Sequence, residues 1–274
     1  MIALVSGLAA VLFYALGTFS QGRRLSRDNE VESAALALGR TPLLWLGFLA
    51  LATHLVNVVQ VIDTDFGLDF GFFKIATLFS WAMVLIVMLS SLRRPVENLF
   101  IVVFPVAVIS ILCSLFLPGS TRPITHLSSG VALHVVLGIL GFSLIAIAAV
   151  QAVVVAWLNR ELKRHRYTPV LRHLPPLQTM ENLLFEIIQG GFIVLLAVIL
   201  TGFLFMDDMF AQHLVHKTFF TLLSTAVFGM LLWGRHQRGW RGKTALLWTL
   251  AGFGVLILAY FGSKFVLELL LNRT

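Results

Sequence analysis

Apolar residues in this chain come in long unbroken runs, and short polar breaks separate one run from the next. The runs predict helices over Ile2–Ser20, Thr41–Ile62, Gly71–Leu92, Asn98–Leu117, Gly130–Leu158, Leu183–Met206, His216–Gly234 and Thr244–Leu270. Each is near the roughly 20 residues that a helix needs to cross a hydrocarbon core about 30 Å thick. Strands of a membrane barrel would be half as long and would alternate apolar with polar positions, and these runs do not. The breaks carry turn chemistry: Arg93-Arg94-Pro95, Pro118-Gly119-Ser120, Pro175-Pro176 and Gly239-Trp240-Arg241-Gly242. The expectation is an all-α, polytopic integral membrane helical bundle of about eight transmembrane helices, forming a single transmembrane domain over residues 1–274. The first run lacks a basic leader and a small-residue cleavage site, so it is read as a retained helix.

Composition agrees and removes alternatives. Of 274 residues, 58% are hydrophobic and 12% charged, with a mean hydropathy of +0.92; a soluble domain carries about 25% charge. The single cysteine, Cys113, lies in an apolar run, so no disulfide framework exists. The net charge of +7 is unevenly spread. Of the 20 Lys and Arg residues, 15 fall in one alternating set of loops: Arg23, Arg24, Arg27 and Arg40; Arg93 and Arg94; Arg160, Lys163, Arg164, Arg166 and Arg172; Arg235, Arg238, Arg241 and Lys243. The other face holds Lys74, Arg122, Lys217, Lys264 and Arg273. The richer side is expected to be cytoplasmic, which puts both termini on the outer, periplasmic side of a bacterial inner membrane. The positive charge then suits anionic lipid as a partner, and no nucleic acid is expected.

On that topology the eight histidines separate. His165, His173 and His236 fall among arginines in the inner loops, as solvated surface would. His54, His126, His134, His213 and His216 gather in the outer half. His54 lies inside the second span, about 12 Å from its outer end at 1.5 Å per residue, with Asn57 on the same face. An ionisable side chain within a span is costly and marks a site by default; the alternative is a neutral imidazole hydrogen-bonded to a neighbouring helix. His134 shares its helix face with Gly130, Gly138 and Gly141, a stripe that admits another helix or a flat ligand.

Other chemistries find little footing. Asp63 and Asp65 are spaced like a hard-cation pair but lack the Gly and Glu of a calcium loop, and with Asp69, Asp207 and Asp208 they read as solvated outer-loop acids. Glu186 sits near an inner helix end, and Lys264 with Glu268 forms an i,i+4 pair. No hydrolase, nucleotide-binding or zinc-protease motif occurs, and a non-enzymatic protein is expected.

The stretch from His216-Lys217 through Trp233–Gly242 to Ala259-Tyr260-Phe261-Gly262-Ser263 resembles the cytochrome c assembly membrane proteins, the CcsA-type haem handlers, and most of all their YpjD/HemX-like branch. The segments His126–Ala149 and Glu181–Gly202 resemble two further helices of that family, and Ala52-Thr53-His54-Leu55 its early intramembrane histidine. The resemblance implies haem held by histidines near the outer membrane face, and other haem-handling or cytochrome assembly membrane proteins as partners. By it, His134 matches the outer-face histidine and His54 the intramembrane one. Lys217 matches the lysine of the tryptophan-rich haem motif, whose tryptophans and acid are missing here. His216 stands where that motif has proline, and Trp233 where another histidine would be. The candidate cofactor-binding residues are His134, His54, His216 and Lys217, with the three histidines as haem iron ligands in the pairs His134 with His54 or His134 with His216. The alternative expectation is a transporter, or a transport accessory protein, for an ion or small solute; a ligand-free structural partner of another membrane complex is the third.

Overall fold

A computed structural model of the chain describes residues 1–26, 39–117, 123–125, 127–165, 170–171, 174–206, 215–262 and 265. Eight of its helices are long and apolar enough to cross a membrane, one for each predicted span. Their ends overrun the apolar runs. The fifth helix continues to Lys163 rather than Leu158, and the sixth begins at Leu177 rather than Leu183. Hydropathy marks where a helix must be apolar to meet hydrocarbon; backbone hydrogen bonding carries the helix on into Asn159, Arg160 and Gln178, whose polar ends suit water. His126, His173, His213, Asp207, Asp208, Lys264 and Glu268 lie outside the described residues.

By packing, the chain divides into two compact units, Met1–Gly119 with Glu161–Pro176, and Ser120–Arg160 with Leu177–Thr274. The first unit holds α1 (Ile2–Leu25), α2 (Arg40–Ile62), α3 (Phe72–Ser91) and α4 (Phe100–Phe116), the last entered through a 3-10 turn over Glu97–Leu99. α1 packs on α2 and α4, and α3 on α2 and α4, so the four close a ring. Between α2 and α3 the chain makes a two-residue hairpin, β1 (Asp63–Thr64) against β2 (Gly67–Leu68). Asp69 follows it. Expected to be solvated, it is instead 1% exposed: one carboxylate oxygen accepts from the Gly71 N–H at the start of α3 and the other from Lys74 at 2.7 Å. Asp63 and Asp65 are exposed, as expected.

The second unit holds α5 (Ser129–Lys163), α6 (Leu177–Phe205), α7 (Val215–Arg238) and α8 (Gly242–Ile257), with a π-helical turn over Leu258–Gly262. α6 packs on α7, and α7 on α8. Neighbouring side chains fill the glycine stripe of α5: Phe205 lies against Gly130, Tyr260 against Gly138, and Val194 and Leu195 against Gly141. The stripe thus serves packing. The block Gly239-Trp240-Arg241-Gly242, the most specific part of the resemblance, is the turn between α7 and α8. Gly239 and Gly242 have φ of +65° and +55°, the left-handed region where a side chain is strained. Between them Trp240 folds back on Gly234, stacks on Trp248 at 5.2 Å, and donates its backbone N–H to the Gly234 carbonyl.

Candidate functional site

His134 stands in the second turn of α5, half-buried, and α6 holds it in place. Its Nδ1 is 3.2 Å from the Thr201 hydroxyl oxygen. That hydroxyl donates its own hydrogen back to the Ala197 carbonyl at 2.8 Å, so towards the histidine it acts as acceptor. In the tautomer with the proton on Nδ1, that bond is donated to Thr201 and the lone pair lies on Nε2. Ligating histidines depend on this arrangement: an outer partner takes one N–H, fixing tautomer and ring orientation, and the other nitrogen binds the metal. The imidazole also hydrogen-bonds the backbone of Val198, one turn before Thr201 on α6.

His134 also lines a cleft of about 110 Å³ that opens at its mouth, smaller than the roughly 300–1,000 Å³ of preformed cofactor sites. Val198, Ile199, Met206, Leu222 and Ala259 make its apolar walls. Lys217, Thr218 and Thr221 from the first two turns of α7 and Tyr260 from the π turn bring polar groups to it. An apolar slot lined by an imidazole and an ammonium suits, in the chemistry of its groups, a flat metal complex bearing carboxylates: the imidazole would hold the metal and the ammonium would meet the carboxylates. The residue types thus suit haem, with His134 and Lys217 as the groups that would hold it.

The other two expected ligands are placed differently. His54 belongs to the first unit and is 0% exposed. Its Nδ1 meets the Tyr14 hydroxyl of α1 at 3.2 Å, and its Nε2 the Thr77 hydroxyl of α3 at 3.0 Å. Both nitrogens are occupied, and iron would have to displace a hydroxyl to bind. In this packing the polar residue inside α2 ties three helices together. Asn57 extends this polar core by donating to the Ala3 carbonyl at 2.8 Å. His216 is exposed in the first turn of α7 and lies outside the cleft lining, whereas its neighbour Lys217 is part of it. Of the four expected site residues, His134 and Lys217 come together. Groups of three or more His, Cys, Asp and Glu side chains able to hold a metal ion do not occur among the described residues.

Sequence reasoning passed over Thr201 and Tyr260. Thr201 carries no signal in the sequence, because its partner is 67 residues away. Tyr260 lies within the Ala259–Ser263 block that carried the resemblance, and that was its one available signal.

Eight helices long and apolar enough to cross a membrane define a multi-pass membrane protein, and the cleft at His134 lies within its second unit. The chain belongs to the cytochrome c assembly protein family, whose sequence pattern matches residues 43–271. It is 29% identical over 226 residues to the inner membrane protein YpjD of Escherichia coli strain K12, covering 81% of this chain and 85% of that one. It is 22% identical over 267 residues to protein HemX of Brevibacillus brevis, covering 93% and 90%. The family and branch read from the sequence are therefore borne out. No solved structure matches the chain.

Proposed function

We propose that the protein binds haem in the cleft of its second unit and handles it for cytochrome c biogenesis without transforming it. His134 holds the iron through Nε2, and Lys217 faces the carboxylates. The observation that supports this reading is the Thr201–His134 hydrogen bond, which holds the imidazole of a cleft-lining residue in place. Membership of the cytochrome c assembly family supports the choice of haem over other flat ligands. When bound, haem supplies the redox-active iron; the chain supplies ligation, a cation and an apolar wall that excludes water. The protein resides in the bacterial inner membrane, as the name of its Escherichia coli relative suggests for that protein, with the basic loops on the cytoplasmic side and other haem-handling membrane proteins as partners.

The test is the absorption spectrum of protein purified from haem-sufficient cells. A Soret band is expected, lost in His134→Ala and retained in His236→Ala. Well-folded protein that carries no haem and takes up none at micromolar concentration would put the transport-accessory reading first.

A further inference from the structure

Beyond His134 and Lys217, the cleft has a third polar feature with its own supporting architecture. Gly138 follows His134 by one helical turn, about 6 Å along α5, and Phe142 follows by another. The Tyr260 ring packs on Phe142 with centroids 5.4 Å apart, and Phe253 and Phe261 flank Phe142 at 5.7 and 5.6 Å. From that aromatic seat the phenol reaches back along α5 towards His134. A Cβ built on Gly138 would lie 2.8 Å from the Tyr260 hydroxyl oxygen, with ring carbons at 3.6 Å or more. A side chain at 138 would therefore press on the hydroxyl, while the ring carbons would stay at ordinary contact distance. Tyr260 is offered from a π-helical turn, a backbone form found often at functional sites, and it lines the cleft. A phenol both donates and accepts hydrogen bonds, so a protein partner leaves it capacity for a ligand.

We propose that Tyr260 is a positioning residue of this cleft, its hydroxyl hydrogen-bonding the ligand held at His134, and that Gly138 is glycine so that the hydroxyl can lie there. The inference rests on the haem reading and adds to it a group that sets the ligand's orientation. It also gives the glycine stripe a divided purpose: Gly130 and Gly141 admit packing side chains, and Gly138 admits a side chain that belongs to the site.

Haemin titrated into the haem-free, full-length protein in detergent tests this through a pair of substitutions and their combination. Tyr260→Phe removes only the hydroxyl and is expected to weaken binding about 3- to 10-fold, the worth of one hydrogen bond. Gly138→Ala is expected to weaken it by at least as much, by pushing the hydroxyl aside. In the Tyr260→Phe background Gly138→Ala is expected to cost nothing further, because the close contact is with the missing oxygen; this non-additivity marks coupled residues. Thermal melting of the haem-free forms separates binding from folding. A lowered melting temperature in Tyr260→Phe with unchanged haemin affinity would make the tyrosine merely structural and overturn the proposal. So would Gly138→Ala losses that persist in the double variant. If wild type takes up haemin in a His134-dependent way and Tyr260→Phe matches it, this inference alone fails; if wild type takes up none, the haem reading fails and this one with it.

Discussion

His54 and His134 are both histidines inside apolar helices, yet the two units use them in opposite ways. In the first unit the imidazole is 0% exposed, and hydroxyls from two other helices occupy its two nitrogens. In the second, a threonine holds one nitrogen and the residue lines a cleft. Burial within a span does not separate a ligand from a structural residue; what the imidazole faces does. A neutral imidazole has one donor and one acceptor. When both are matched by buried hydroxyls it acts as a cross-brace, and at the edge of a cleft it can instead be oriented towards a ligand, the role proposed for His134.

The largest effect that would sharpen this contrast is on stability. His54→Ala leaves the Tyr14 and Thr77 hydroxyls buried without their partner and opens a cavity among α1, α2 and α3, at a cost of about 2–5 kcal/mol. The haem spectrum of the surviving folded protein is expected to be unchanged. Thermal melting in detergent measures the first, and haem content per folded protein the second; a stable variant that has lost haem would reverse the roles of the two histidines. Thr201→Val keeps shape and removes the hydroxyl that orients His134. It is expected to weaken haem binding roughly tenfold or more, as outer partners of metal-binding histidines do, with little loss of stability. Unchanged affinity would mean that Thr201 does not set the ring. His216→Ala is expected to leave haemin affinity within experimental error, since the residue is exposed beyond the cleft lining.

The fold was largely legible because hydrocarbon imposes one rule on every span. Eight long apolar runs gave eight helices, and the arginine-rich breaks fell between them. The division into two units was not legible, since no break in composition marks it. The site was half legible. His134 and Lys217 stood out by residue type and family pattern, whereas His54 was equally conspicuous for another reason. A polar residue in a span signals that something satisfies it, and the sequence does not say whether that is a ligand or Tyr14, 40 residues earlier. The glycine stripe was similarly ambiguous until Phe205, Tyr260 and Leu195 were seen against it. The Gly239–Gly242 block identified the family through turn geometry, with two positive-φ glycines around a tryptophan, and so it spoke for the fold more than for the chemistry.

Orientation changes neither site but decides which compartment the cleft serves. A reporter fused after Thr274 is expected to read as outer and one at Tyr167 as cytoplasmic, from the uneven distribution of Lys and Arg. The same side at both positions would mean a miscounted span.

The most direct test of the central claim is the Soret absorbance of His134→Ala per mole of folded protein, set beside wild type and His54→Ala. The account predicts haem in wild type, a near-complete loss in His134→Ala at an unchanged melting temperature, and full occupancy in whatever His54→Ala remains folded. Full haem in well-folded His134→Ala would contradict it, and would show that the cleft in the second unit is not where the cofactor binds.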